Sequence, residues 1–333
     1  MKNKKKYLQI SVIMCTLCVV LGGCNKMMKT SENNISVWLP KETQTATEIF
    51  PIWSQGEAPG ARTSSVQLQI IDRAKDGELS DRAVLGVRAP EITVYKPKES
   101  NGIGVLITPG GAFVRTAIDK EGSDLAPLMN DRGFTLFVLT YRLPGDGHEE
   151  GVNAPLADAQ RAMRVLRERS EKWGLKKIGV MGFSAGGHVA ASLGTRYDEQ
   201  VYQPVDEIDT LGAQPDFLVL VYPVINMELM ISNVGSLRTL FGDTPTAEQL
   251  KRLSPDQNVT DKTAPAFILH TLDDTTVPIE NSLSMFNALR EKNVPVEMHL
   301  FKQGGHGFGL RGVADSPTGQ WLFLLMNWLN ALP

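Results

Sequence analysis

Short apolar runs alternate with helix-period segments along most of this chain, and that alternation limits the fold more than any other feature. The runs Ile103–Ile107, Thr135–Thr140, Ile178–Met181, Phe217–Tyr222, Ala266–His270 and Val296–Phe301 have strand length and are bounded by polar, Gly or Pro residues. Between them, the stretches at about 118–132, 155–172, 186–196, 280–292 and 318–331 place apolar residues at helical spacing. Parallel strands need a long crossover, so this order predicts an α/β fold: a mostly parallel central sheet with helices on both faces. Val66–Ile70 alternates strictly and predicts a strand near an edge, and Ile92–Tyr95 predicts another, ended by Pro97. The segment 224–265 breaks the rhythm and reads as a cap-like insertion over the C-terminal edge of the sheet. Its Met227, Leu229, Met230, Ile231, Leu237, Leu240 and Phe241 either line a pocket or form the insertion's own small core.

The first residues are a separate matter. Lys2, Lys4, Lys5 and Lys6 precede an apolar stretch from Ile10 to Leu21, too short for a membrane-spanning helix but suited to a signal peptide. It ends in Leu21-Gly22-Gly23-Cys24, which resembles the lipobox of bacterial lipoproteins. That resemblance implies a signal peptide over 1–23, acylation of Cys24, and an exported protein anchored by lipid to a bacterial membrane. Residues 24–65 read as a polar tether followed by an irregular Pro- and Gly-rich segment, and 66–333 as the folded domain. The three cysteines are Cys15, Cys18 and Cys24, so no disulfide and no cysteine-based metal site is expected beyond the leader. The net charge of −3 becomes more negative once the leader lysines are gone, and no basic face for nucleic acid is expected.

The strongest local signal lies at the end of a predicted strand. Ile178-Gly179-Val180-Met181 runs into Gly182-Phe183-Ser184-Ala185-Gly186 and then the small-residue stretch Gly187-His188-Val189-Ala190-Ala191. A G-x-S-x-G turn between strand and helix projects a serine from a sharp bend, where larger flanking side chains would collide with it. The helix start beyond it offers backbone N–H groups to a developing anion. Such a serine needs a base and an orienting carboxylate. Of the five histidines, His306 stands in the glycine-rich loop 303–309 just after the last strand and is the candidate base. His270 and His299 fall within strands and His188 within the helix, all three expected to be structural, while His148 lies in a polar loop. Asp273 and Asp274 follow the strand ending at His270 and are the acid candidates. After Ile103–Ile107 comes Thr108-Pro109-Gly110-Gly111-Ala112-Phe113, placed to supply N–H donors from Gly111 or Ala112 beside that of Ala185.

From about residue 90 onward the chain resembles the α/β-hydrolase superfamily, and is most similar to the bacterial esterase/lipase branch that includes acetylxylan and feruloyl esterases. The runs carrying the resemblance are Thr108–Phe113, Tyr141–Asp146, Pro155–Ala162, Ile178–Ala191, Asp274–Pro278 and Gly305-His306-Gly307. The chain order Ser, Asp, His is the order of that superfamily. The D-x-x-V-P form of the acid loop favours Asp274 over Asp273, which then shapes the loop or caps a helix. Proline and alanine stand where the family's H-G-G-G loop has its histidine and last glycine. Arg142 and Asp158 recur as a pair in such enzymes and read as a structural salt bridge.

What the resemblance implies is ester hydrolysis through an acyl-enzyme by Ser184, His306 and Asp274, with no metal and no organic cofactor. The substrate expected is a small acyl ester, acetyl foremost, on plant-type polysaccharides or oligosaccharides. A feruloyl or general carboxylesterase, a prolyl-oligopeptidase-like peptidase, and an inactive tethered glycan-binding protein are the alternatives.

Overall fold

The central apolar runs assemble into one sheet. The computed structural model describes residues 44–230 and 245–333. In chain order the strands are β1 (Glu48–Pro51), β2 (Gln69–Asp72), β3 (Arg82–Leu85), β4 (Glu91–Tyr95), β5 (Ile103–Thr108), β6 (Thr116–Ala117), β7 (Thr135–Thr140), β8 (Lys177–Phe183), β9 (Leu218–Val221), β10 (Ala266–Thr271) and β11 (Val296–Phe301). The α-helices are α1 (Ala126–Asn130), α2 (Ala154–Glu168), α3 (Ser184–Thr195), α4 (Met227–Met230), α5 (Ala247–Arg252), α6 (Glu280–Glu291) and α7 (Trp321–Ala331).

Eight strands form the main sheet in the order β1-β4-β7-β5-β8-β9-β10-β11. The pairs β1/β4 and β4/β7 are antiparallel and every later pair is parallel. Successive side chains point to opposite faces, so the inner strands feed two cores. Leu106, Leu139, Val180, Leu218, Leu220 and Ile268 pack with α2, α3 and α6 on one face. Val105, Ile107, Val138, Met181, Val219 and Leu269 pack with α1 and α7 on the other. Burial on both faces explains why these strands read as unbroken apolar runs. A second sheet, β2-β3-β6, is small and antiparallel.

Several expectations shift. The segment 48–63, read as irregular and outside the folded domain, contributes β1 and a 3₁₀ turn, Pro59–Thr63, and buries Phe50, Ile52, Trp53, Ala58 and Ala61 in the main core. The folded part therefore starts before residue 66. Pro and Gly masked it, because an edge strand paired through only one side tolerates them. The strand expected at Val66–Ile70 forms at Gln69–Asp72 instead, with all four residues exposed. The helix expected over 118–132 is a 3₁₀ turn, Ser123–Leu125, followed by the short α1.

The leader, Cys24 and the polar tether up to residue 43 lie outside the described residues, as do Ile231, Leu237, Leu240 and Phe241 of the insertion. Within the described part of the insertion, Thr246 and Gln249 close a capping box over the start of α5. Met227, Leu250 and Leu253 join a small core with Phe113, Ala185, Val224 and Val277, so Met227 is a packing residue.

Candidate active site

Four loops meet beyond the C-terminal ends of the parallel strands, the end where open α/β sheets place their ligands. β8 delivers Ser184, β10 delivers Asp274, β11 delivers the loop of His306, and β5 delivers the segment 109–115. Ser184 takes the left-handed backbone conformation, φ +52°, at the first residue of α3. The glycines around it are required by close approach. A Cβ on Gly182 would lie 2.2 Å from the Gly186 carbonyl oxygen, and one on Gly186 would lie 2.0 Å from that of Thr108. The clash they avoid is thus with backbone, not with the serine as the sequence reading had it.

Ser184 Oγ is 2.7 Å from His306 Nε2, and His306 Nδ1 is 2.6 Å from Asp274 Oδ2. With Nδ1–H donated to the carboxylate, Nε2 is left to accept the serine hydroxyl proton. The Asp274 carboxylate also accepts the N–H groups of Thr276 and Val277 at Oδ1 and faces His270 Nε2, 3.2 Å from Oδ2. Burial alone would raise its pKa, but the hydrogen bonds from His270 and His306 hold it well below the usual carboxylate range. It is therefore ionised wherever the histidine works. Asp273 does not face the imidazole. Its carboxylate takes the N–H groups of Gly304 and Gly305, 3.2 and 2.8 Å away, and so shapes the histidine loop. Positive φ at Gly305 and Gly307 lets that loop turn the ring toward the serine.

The segment after β5 lies directly against the serine turn: a Cβ on Gly110 would be 3.0 Å from Ser184 Cβ. Gly111, Ala112 and Phe113 all have positive φ, a strained run that turns the chain sharply at this point. The N–H of Gly110 is consumed by Glu121 Oε2, 2.7 Å away. Among the described residues, the N–H groups of Gly111, Ala112 and Ala185 take no protein acceptor, and that of Ala185 opens α3 without an intrahelical partner. These are the three donors singled out from the sequence, two of them next in the chain to Gly110 and the third next to Ser184.

The remaining expected residues are accounted for. Arg142 and Asp158, both fully buried, form the expected salt bridge at 2.9 Å, joined by Glu150 and by the Trp53 indole N–H. His188 lies 2.7 Å from the Leu253 carbonyl and packs edge-on to Phe113, with burial lowering its pKa to about 4. His148 is buried as well, and burial together with Arg142 lowers it to about 4, so it is neutral rather than a surface group. His299 pairs with Glu297 on the edge strand. His270, expected to be structural, is buried and hydrogen-bonded behind Asp274, and two residues of the site were missed: Glu121 beneath the β5 loop, and Tyr222, whose ring lies 4.9 Å from that of His306. Neither Glu121 nor Tyr222 carried a local signal, because each meets its partners across the fold.

A mostly parallel sheet of this order, with serine, carboxylate and histidine in that chain sequence at its C-terminal edge, defines an α/β-hydrolase. The BD-FAE family model matches residues 92–289, and the chain belongs to that family. It is similar to endo-1,4-beta-xylanase B of Butyrivibrio fibrisolvens, 38% identical over 205 residues that make up 61% of this chain and 32% of that protein. An acetylxylan esterase of Xylanibacter ruminicola is 28% identical over 250 residues, 73% of this chain and 48% of that protein. The chain thus spans about a third and about half of the length of these two relatives. Among solved structures, an acetyl ester-xyloside bifunctional hydrolase from Caldicellulosiruptor lactoaceticus superposes with a TM-score of 0.69 at 32% identity, covering 85% of this chain and 96% of that one.

Proposed function

We propose that this protein is a serine carboxylesterase that removes small acyl groups, acetyl foremost, from plant-type polysaccharides or their oligosaccharides. The observation that carries the reading is the continuous relay of Ser184 Oγ, His306 and the Asp274 carboxylate at 2.7 and 2.6 Å. Ser184 Oγ attacks the acyl carbon as His306 Nε2 takes its proton, and the carbonyl electrons collect on oxygen. The free N–H groups of Gly111 or Ala112 and of Ala185 receive that anion, each worth ~3–4 kcal/mol in the transition state. Asp274 stabilises the imidazolium. The imidazolium then protonates the departing sugar oxygen, leaving an acyl-serine. Water, deprotonated by the same histidine, attacks the acyl carbon and releases the carboxylic acid and the free serine.

The choice of acetyl on xylan-type glycans is supported by the relatives named for xylanase, acetylxylan esterase and acetyl ester-xyloside hydrolase activity. Turnover of p-nitrophenyl acetate, acetylated xylan and methyl ferulate by the purified protein tests the reading, with Ser184→Ala as control. Acetate released from xylan and lost in Ser184→Ala is the expected result. Ferulate release in preference would move the acyl specificity, cleavage of a Pro-containing chromogenic peptide instead would make it a peptidase, and no Ser184-dependent turnover at all would end the enzyme reading. We further propose that Cys24 anchors the exported protein to a bacterial membrane. Radiolabelled palmitate incorporated by the full chain and absent from Cys24→Ala is expected, and equal labelling of both would exclude the anchor.

A further inference from the structure

Glu121 is a buried acid beside the site that the reaction does not use. Its side chain is buried, with the residue 5% exposed, and among the described residues no Lys, Arg or His nitrogen lies within ion-pair distance of it. A buried carboxyl without a cationic partner is unfavourable unless its oxygens are otherwise satisfied. Both are. Oε2 accepts the Gly110 N–H at 2.7 Å, and Oε1 accepts the Tyr222 hydroxyl at 2.9 Å.

Those two donors belong to different parts of the site. Gly110 immediately precedes the free N–H groups of Gly111 and Ala112. Tyr222 follows β9, and its hydroxyl oxygen in turn accepts the Gly309 N–H at 3.1 Å. Its ring packs against His306, centroids 4.9 Å apart, and against Phe308 at 4.8 Å. Tyr222 itself is held at φ +39°, a conformation that a side chain of this size rarely adopts. The chain segment 120–121 also touches the histidine loop directly: a Cβ on Gly309 would be 2.4 Å from the Lys120 carbonyl oxygen, and one on Gly307 would be 4.0 Å from Glu121 Oε1.

We propose that Glu121 is a positioning residue: its carboxyl ties the loop of the anion-receiving N–H groups to the loop of His306, setting the register between them. The proposal rests on the esterase reading above for its catalytic consequence, but the tie itself is a matter of the two loops. In hydrolysis the serine, the imidazole and the N–H donors must converge on one carbonyl, and a displacement of about 1 Å in one of them costs up to about 100-fold. The other anchors act on one loop each. Tyr141 binds the Pro109 carbonyl, while Asp273 and Trp321 hold the histidine loop. Glu121 alone among these contacts is linked to both, to the loop of Gly110 directly and to the histidine loop through the Tyr222 hydroxyl.

The test combines kinetics on p-nitrophenyl acetate with hydrogen–deuterium exchange of peptides covering 108–117 and 303–310, in the purified full-length protein. Glu121→Ala is expected to lower kcat about 10- to 100-fold with KM changed less than about threefold, and to speed exchange in both peptides. Glu121→Gln can still accept the Gly110 N–H and donate to the Tyr222 oxygen, so it should recover kcat to within about fivefold of wild type. Tyr222→Phe removes one hydroxyl and is expected to loosen 303–310 while leaving 108–117 as it was. Unchanged exchange in either peptide of Glu121→Ala, a change in KM alone, or a Gln variant as impaired as Ala would each overturn the proposal. If Glu121→Ala does not fold, the Gln and Tyr222→Phe pair decides by the same criteria. Ester turnover that persists in Ser184→Ala would remove the esterase reading, and exchange would still judge the tie.

Discussion

Asp274 and Asp158 are both carboxylates with fully buried side chains at the same end of the sheet, and each gathers several donors. Asp158 takes the Arg142 backbone N–H, the Arg142 guanidinium and the Trp53 indole N–H. Asp274 takes two backbone N–H groups on one oxygen and two imidazoles on the other. The difference lies in the cation. A guanidinium keeps its proton at every pH a protein survives, so the Asp158 cluster can only brace the loop 141–153 against α2. An imidazole can take up and release a proton within a reaction, and His306 keeps 17% of its side chain open to solvent. One carboxylate can thereby only brace, while the other faces a group able to move a proton, although both are buried and gather several donors. A perturbed, buried carboxylate is informative about function only together with the group it faces.

The comparison breaks most sharply at Asp274. Asp274→Asn leaves the fold intact but withdraws the charge that selects the working tautomer of His306, so kcat/KM for p-nitrophenyl acetate should fall by about 10³- to 10⁴-fold, against less than about tenfold for Asp273→Asn. Equal losses in the two variants would return the acid role to an open question. Asp158→Ala should do the reverse. It strands a buried guanidinium and an indole N–H, and urea unfolding should show a loss of about 3–5 kcal/mol, with kcat of the folded fraction close to wild type.

The smallest effect concerns acid sensitivity. His188 is held neutral with its pKa lowered to about 4, so the unfolded chain takes up a proton below about pH 6.5 that the folded chain refuses until about pH 4. Its contribution to stability is complete above pH 6.5 and is lost as the pH falls through that window. His188→Gln, which can still donate to the Leu253 carbonyl, should flatten the stability–pH slope there by up to about one proton per molecule. A slope identical to wild type in denaturant titrations at several pH values would show that His188 does not titrate differently in the two states.

Much of this site was legible because its signals are local. The turn at Ser184, the Gly-rich loop at His306 and the D-x-x-V-P loop at Asp274 each need only a few neighbouring residues to be recognised, since each is a backbone shape with a chemical group at its tip. The acid was narrowed to two adjacent residues with Asp274 favoured, and the structure has the same preference: Asp273 points at the backbone of Gly304 and Gly305, Asp274 at the ring. Glu121 and Tyr222 carried no such mark. They meet across 101 positions of sequence, and neither has a neighbour that announces the contact. The same is true of β1, an edge strand with Pro at its end whose pairing with β4 is what makes it a strand.

The alternation of the central strands and helices, the candidate reacting groups and the glycines around them were legible in the sequence alone, because strand length, helical spacing and tight turns are short-range properties of the chain. The distances that join Asp274 to the imidazole, the use of the Gly110 N–H by Glu121, and the link that one buried acid makes between two loops were decided only by the tertiary structure. Those are relations among segments brought together by the closing of the sheet, and hydrogen bonds of 2.6 to 2.9 Å depend on distances that no local pattern encodes.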